Sequence, residues 1–371
     1  MTNPRRPAVW LQTGAVMAVS ALACLGASVA QACTRILYTG ANQTVITGRS
    51  MDWEQDNRPS LWALPKGMSR DGATGPDTIR WNAKYGSVVV SMYDVGTVDG
   101  INDQGLVANI LYLAESNYGK AQGKPTLSIA AWAQYVLDNY GSVSEAVSAL
   151  RKEPFRIVAP LLPGGGPAQG HLSISDPSGD SAIFEYLDGK LTIHHGKQYT
   201  VMTNSPSYDQ QLALNSYWQE IGGARSGFLP GTSRASDRFA RASFLLGSIP
   251  KTIDPDVITA IPGQSFDFQA MASVLGVMRA VSVPLGVSDP QLPNISSTLW
   301  RTTYDQKKRI LIFDSATAPS AFWVRLDALN LNPGQPVKQL NASGGRTYSG
   351  DVSHQFVPAT PFAFLPGTPK N

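Results

Sequence analysis

Ala30-Gln31-Ala32-Cys33-Thr34-Arg35 is the stretch on which the reading of this chain turns. Ahead of it lie a positive start at Arg5 and Arg6 and an apolar run, broadly Ala15 to Val29. Ala30-Gln31-Ala32 has the small-x-small form after which a signal peptidase cuts. Residues 1–32 therefore read as a secretory signal peptide, and its removal leaves a chain that begins at Cys33. A cysteine at a new N-terminus carries its own base, the α-amine of the same residue. That amine titrates near ~8, so part of it is neutral at working pH, unlike a lysine. Thiol and amine together make a self-contained nucleophile. The cut site alone does not assign that role, because any residue can follow a cut. A second reading is acylation of the cysteine on export, giving a lipid-anchored, non-catalytic periplasmic binding protein. Ala30 and Gln31, three and two positions before Cys33, match a lipidation signal poorly. Ala21-Leu22-Ala23 before Cys24 fits little better.

Composition narrows the class. Removing 32 of 371 residues leaves 339, enough for one large domain or two. Two of the 30 basic residues lie in the removed segment and none of the 27 acidic ones, so the remaining balance is +1. A near-neutral chain gives no electrostatic reason to expect nucleic acid or acidic lipid as a partner. Cys24 leaves with the signal, so the mature chain holds one thiol and no internal disulfide. No later stretch is apolar and long enough to cross a membrane. These features place the mature protein in the periplasm or outside the cell, with no stable membrane insertion. His171, His194, His195 and His354 show no ligand spacing, so neither metal nor other cofactor is expected.

Outward from Cys33 the chain alternates strand and helix signals in blocks. Arg35–Tyr38 and Thr44–Thr47 are β-rich around a turn at Gly40-Ala41-Asn42. A Pro- and Gly-rich loop is expected from about Asn57 to Asp77. Ser87–Ser91 and Leu106–Tyr112 read as strands flanking the turn Asn102-Asp103-Gln104-Gly105. Leu127–Asn139 has helical periodicity, and Ser142 with Glu145 three residues on forms a capping box for a second helix. Strands follow at Leu172–Ser175, Ala182–Tyr186, Leu191–His194 and Tyr199–Met202. Helices are expected over Ser236–Gly247 and Phe268–Arg279, and strands over Arg309–Phe313 and Ala321–Arg325. The segment after Leu340, rich in Gly, Pro and Ser, reads as loose. Blocks of strands and helices without regular alternation point to an α+β fold with antiparallel sheets covered by helices. No composition break divides residues 33–371, so a single catalytic domain is expected.

Three residues near the new terminus belong together. Cys33 supplies thiol and amine. Arg49 lies just past the first hairpin, where a guanidinium would favour thiolate. Asp52 could hold the amine or the thiol by a hydrogen bond. Taken singly, Arg49 and Asp52 also read as an ordinary surface ion pair.

Cys33-Thr34-Arg35 followed by Gly48-Arg49-Ser50-Met51-Asp52-Trp53 resembles the start of the choloylglycine hydrolase family, the N-terminal cysteine amidases that include penicillin V acylases and bile salt hydrolases. Further likenesses follow in order: Gly100-Ile101-Asn102-Asp103-Gln104-Gly105-Leu106, Thr203-Asn204-Ser205-Pro206-Ser207-Tyr208, Leu229 to Phe239, and Thr302 to Asp305. The resemblance implies an N-terminal nucleophile hydrolase fold, an αββα sandwich of two mostly antiparallel sheets between helices. It implies Cys33 as nucleophile with Arg49 and Asp52 beside it. It places Asn204 and the Tyr112 backbone N–H in the oxyanion hole, and makes Arg238 the arginine of the late motif. Alone, Asn204 reads as a turn residue and Arg238 as an exposed helix charge. Met51, Trp53 and Tyr112 are the candidates for the substrate pocket, while Trp132 and Trp323 read as core. The implied substrate is a small-molecule amide of the penicillin V type or an N-acyl homoserine lactone, the latter with a role in quorum quenching. Conjugated bile salts are the alternative, disfavoured by Tyr112 and by export. The resemblance also implies a homo-oligomer, a tetramer in Gram-positive members. Thr232 and Asp237 depart from the late motif, and the stretch between Asn204 and Arg238 is short for that assembly mode.

Overall fold

In a computed structural model the described residues are Met1, 33–163, 165–223, 228–287 and 296–369. The signal-peptide reading of residues 1–32 lies, apart from Met1, outside them.

Chain order begins with the hairpin Thr34–Thr39 (β1) and Val45–Trp53 (β2). Next come Ser60–Leu64 (β3), Ser69–Asp71 (β4), Arg80–Asn82 (β5) and Ser87–Met92 (β6). Gly96–Asn102 (β7), Val107–Leu111 (β8) and Thr126–Ser128 (β9) lead into the helices Ile129–Asn139 (α1) and Val143–Leu150 (α2). Arg156–Val158 (β10), His171–Ser175 (β11), Ser181–Leu187 (β12), Lys190–His195 (β13) and Val201–Thr203 (β14) follow. The helices Tyr208–Trp218 (α3), Ala235–Ser248 (α4) and Phe266–Ala280 (α5) come next. Ser297–Asp305 (β15), Ile310–Ser315 (β16), Phe322–Arg325 (β17), Lys338–Asn341 (β18), Gly350–Asp351 (β19) and Val357–Pro358 (β20) complete the chain.

Two large sheets result. One has the order β14-β1-β2-β15-β16-β17-β19, the other β13-β12-β11-β8-β7-β6-β3-β18-β20. Pairing in both is antiparallel except between β17 and β19. Helices α4 and α5 pack on the first sheet, and α1 and α2 on the second. The layering is the αββα sandwich expected from the sequence. Strands at the centre are buried on both faces, so β1, β2 and β6 show no alternation of exposed and buried residues, and β1 and β2 bury the polar Arg35, Arg49, Ser50 and Asp52. The Ser142 hydroxyl accepts from the Glu145 amide at 3.3 Å, and Glu145 Oε2 accepts from Gly141 N at 2.9 Å. The capping box therefore operates, with its return bond one residue early.

Three expectations need correction. The 57–77 segment is not all loop: Ser60–Leu64 is a fully buried strand between β6 and β18. Its Pro and Gly residues only punctuate it. The region after Leu340 is not loose. It adds two short strands, and Phe364 is buried against Phe362, which stands edge-on to Trp62. Aromatic anchors there outweigh the local Gly and Pro content. Helix α3, between Tyr208 and Trp218, went unread because its apolar residues hold no consistent face. Trp132 is core, as expected, but Trp323 is exposed on β17. Among the described residues no helix is long and apolar enough to cross a membrane.

Candidate active site

β1 lies between β2 and β14, and Cys33 precedes its first residue. Thr34 is paired with Ser50 on one side and with Thr203 on the other. In antiparallel strands the residue before Thr34 then faces Met51 across one seam and Asn204 across the other. The hairpin register thus delivers the nucleophile candidate, its neighbours and the oxyanion candidate to one place.

The Cys33 thiol is buried, with Sγ accepting from the Asp52 amide at 3.5 Å and lying 4.0 Å from Met51 Sδ. Burial pushes the thiol above its ordinary range. Arg49, the Asp52 amide and Arg238 pull it back, and the Asp52 carboxylate adds to the rise. Arg49 acts on the thiol in the direction expected from the sequence. Desolvation outweighs that pull, so the net shift is upward.

Arg49 is wholly buried in β2. Its Nη2 donates to the Ile110 carbonyl at 3.3 Å, and its guanidinium lies 4.5 Å from the centre of the Trp300 ring. The surface ion pair with Asp52 is not formed. Asp52 sits further along β2, opposite a register shift in β15 between Thr298 and Trp300. Such a bulge re-aims side chains, and here the Thr298 hydroxyl donates to Asp52 Oδ1 at 2.5 Å. Oδ2 makes no hydrogen bond among the described residues and stands 3.7 Å from Arg238 Nη1. Burial raises the Asp52 carboxyl to about 6, against the opposing pull of Arg238, Thr298 and Arg49.

Arg238, on α4, is buried rather than exposed. Nη1 donates to the Cys33 carbonyl at 2.9 Å and to the Thr34 hydroxyl, and Nε to the Ser233 carbonyl at 3.0 Å. The amide oxygen and nitrogen of the buried Asn204 side chain both lack a partner among the described residues. Its backbone carbonyl accepts from Gln211 Nε2 at 3.0 Å, which ties it to α3.

Cys33 and Arg49 open into an apolar cleft of about 690 Å³, its open mouth included. Met51, Trp53 and Tyr112, the three pocket candidates, all line it. Trp53 Nε1 donates to the Tyr93 hydroxyl at 3.0 Å, and Tyr112, half-buried, has its hydroxyl 3.5 Å from Gln169 Oε1. All eight residues singled out from the sequence lie in this one region.

Sequence reasoning missed Thr298 and Asp99. Thr298 follows Ser296 and Ser297, and nothing marks which hydroxyl faces the site. Asp99, on β7, is buried between the sheets. Its Oδ1 accepts from Asn109 Nδ2 and its Oδ2 from the Thr302 hydroxyl, each at 2.5 Å. Burial raises its carboxyl, and the Arg49 guanidinium opposes that rise. A carboxylate inside Gly96–Asn102, a strand otherwise without charge, was the available signal.

The arrangement suits acyl transfer: a buried thiol, a carboxylate with one oxygen not hydrogen-bonded among the described residues, a side-chain amide likewise without a hydrogen bond among them, and an apolar cleft. Comparisons with known proteins agree. The family model for linear amide C–N hydrolases of the choloylglycine hydrolase family matches residues 33–339. A penicillin V acylase from Pectobacterium atrosepticum is 46% identical over 360 residues, covering 92% of this chain and 94% of that protein. The solved penicillin V acylase from Agrobacterium tumefaciens is 50% identical, with a TM-score of 0.81, covering 90% of this chain and all of that one. A conjugated bile acid hydrolase variant from Clostridium perfringens, 20% identical, has a TM-score of 0.67 over 85% of this chain and 98% of its own, a likeness of fold. This chain is a hydrolase of linear amide C–N bonds and belongs to the choloylglycine hydrolase family.

Proposed function

We propose that residues 1–32 are removed on export and that residues 33–371 form one catalytic domain, periplasmic or secreted, which hydrolyses penicillin V-type amides or N-acyl homoserine lactones. The observation that carries this reading is the convergence on Cys33 of two unpartnered buried groups, Asp52 Oδ2 and the Asn204 amide. Buried polar groups are normally paired. A free α-amine on Cys33 would complete the first, and the oxygen of a substrate carbonyl the second.

The steps follow from the positions. The α-amine takes the thiol proton, and Sγ forms a bond to the amide carbonyl carbon. The carbonyl π electrons move to oxygen, held by the Asn204 Nδ2 and the Tyr112 backbone N–H. The ammonium returns its proton to the leaving nitrogen as the C–N bond breaks, leaving a thioester on Cys33. Water, giving a proton to the same amine, attacks that thioester. Expulsion of sulfur, reprotonated from the ammonium, releases the acid. Asp52 orients the amine throughout, and Arg238 fixes the Cys33 carbonyl. No cofactor enters these steps.

The apolar lining around Trp53, Met51 and Tyr112 supports an aryl or alkyl acyl group. The two penicillin V acylase relatives favour penicillin V among the candidates. The test is kcat/KM for penicillin V, an N-acyl homoserine lactone and a glycine-conjugated bile salt, with Cys33→Ala as control and the N-terminus of the exported protein sequenced. Equal rates for wild type and Cys33→Ala, or an active enzyme with a residue ahead of Cys33, would overturn the reading.

A further inference from the structure

The cleft that holds Cys33 is not built from the family core alone. The family match ends at residue 339, yet Leu365 lines the cleft together with Val95, Ile129, Ala130 and Leu162. Its place is fixed from both sides. Leu365 N donates to the Val95 carbonyl at 2.7 Å, and the Leu365 carbonyl accepts from the Ser128 hydroxyl at 2.8 Å. Ser128 is also the N-cap of α1, accepting from the Ala130 amide. Two residues on, Gly367 N donates to the Ala73 carbonyl at 2.9 Å. A Cβ at Gly367 would come within 2.7 Å of Val158 Cγ1, so a larger residue there would have to displace Val158 or the segment. Upstream, the Phe364 ring stands 5.6 Å from Phe362, whose ring is 5.3 Å from Trp62. With its backbone held on both sides, Leu365 can answer a larger ligand only by turning its side chain, because withdrawing the segment would break those bonds.

We propose that Leu365 is a specificity-determining residue that sets the size of the acyl group accepted in the Cys33 cleft. The proposal rests on the amidase reading above and adds a gauge supplied by the C-terminal segment. In an apolar pocket one methylene changes selectivity by roughly tenfold or more, and a pinned wall makes that discrimination sharp.

The test uses the full enzyme with Leu365→Ala, Leu365→Met and Leu365→Trp. We would measure kcat/KM for phenoxyacetyl, hexanoyl, octanoyl, decanoyl and dodecanoyl amides of one amine. Leu365→Ala is expected to move the preference toward longer chains and Leu365→Trp toward shorter ones. The long-to-short ratio should change by about tenfold. A uniform loss across the series, with the ratio unchanged, overturns the proposal and leaves Leu365 a structural residue. Should Leu365→Trp fail to fold, Leu365→Ala and Leu365→Met decide. Absence of turnover in wild type would sink the amidase reading instead. Calorimetric binding of the matching fatty carboxylates then reads the same size ratio without chemistry, and an unaltered ratio overturns the gauge.

Discussion

Arg238 Nη1 stands 3.7 Å from Asp52 Oδ2 and 2.9 Å from the Cys33 carbonyl oxygen, so a single guanidinium carried by a helix holds both the Cys33 backbone and the carboxylate beside it. Both side chains are wholly buried. Such a pair contributes little net stability against an apolar replacement, but removing one member strands the other. Arg238→Met is therefore expected to cost about 3–5 kcal/mol in urea unfolding at pH 8. The loss should shrink toward pH 5, where Asp52 takes up a proton and no charge is stranded. A loss that does not vary with pH would show that packing, not charge, is what Arg238 provides.

Asp52 itself has a pH signature in the unprocessed chain, where the Cys33 nitrogen is still a peptide. Its folded carboxyl lies at about 6 against an unfolded value of 3.8. Between those values the fold holds a proton that the unfolded chain has released, so stability falls as pH rises through that window. Asp52→Asn removes the penalty. Its melting temperature relative to wild type should rise from pH 4 to pH 7 and level off on either side. On the proposed processing an α-ammonium would stand near Oδ2 and lower the carboxyl, so in a chain that begins at Cys33 the rise should shift to lower pH and shrink. Identical profiles for unprocessed and mature chains would remove the amine from the carboxylate's neighbourhood.

Much of this site was legible because it hangs on local order. Cys33, Arg49, Met51, Asp52 and Trp53 occupy one hairpin, and a hairpin's register follows from its turn and its apolar pattern. Asn204 was reachable only by resemblance, because its neighbour Thr203 pairs with Thr34 across a separation of well over a hundred residues. Arg238 was misjudged for a related reason: helical periodicity places a side chain on a face but says nothing of what that face covers. Thr298 depends on a bulge, and Leu365 on a return of the chain end, and neither leaves a periodic signal.

The Gly100–Leu106 motif turns out to join layers rather than touch the site. Asn102 Nδ2 donates to the Leu137 and Tyr140 carbonyls at 2.9 and 2.8 Å, and Gln306 Nε2 donates to the Gly105 carbonyl at 2.9 Å. Gly105 has φ +84°, and a Cβ there would collide with the Gln306 carbonyl oxygen. Gly105→Ala should cost about 1–3 kcal/mol or more from backbone strain and collision. Denaturant unfolding would measure it, with kcat of the surviving folded enzyme near wild type. A neutral effect on stability would contradict the close approach of the two sheets at this point.

Arg49 has a separable role. It is the strongest of the groups drawing the thiol of Cys33 down against burial. Arg49→Leu should raise the thiol further, and each added unit lowers the thiolate fraction about tenfold at a fixed pH below it. Iodoacetamide alkylation of Cys33, followed against pH, is expected to shift to higher pH in Arg49→Leu and to stay near wild type in Arg49→Lys. Superimposable profiles for Leu and wild type would mean that the charge does not reach the sulfur.

Asn204 gives the sharpest division between chemistry and structure. Its amide is buried with neither end hydrogen-bonded among the described residues, an arrangement that ordinarily costs about 1–3 kcal/mol. Deleting the amide therefore breaks no side-chain bond to a described residue. Asn204→Ala is expected to leave the melting temperature unchanged or slightly raised. If Nδ2 meets the oxygen only once charge has built up on it, kcat should fall about 10²–10³-fold, roughly 3 kcal/mol of barrier, with KM within a few-fold of wild type. Gln211→Leu, which releases the Asn204 carbonyl from α3, should lower kcat less and in the same sense. A rise in KM with kcat intact would make Asn204 a ground-state binding residue. A marked drop in melting temperature would mean that its amide has a structural partner after all.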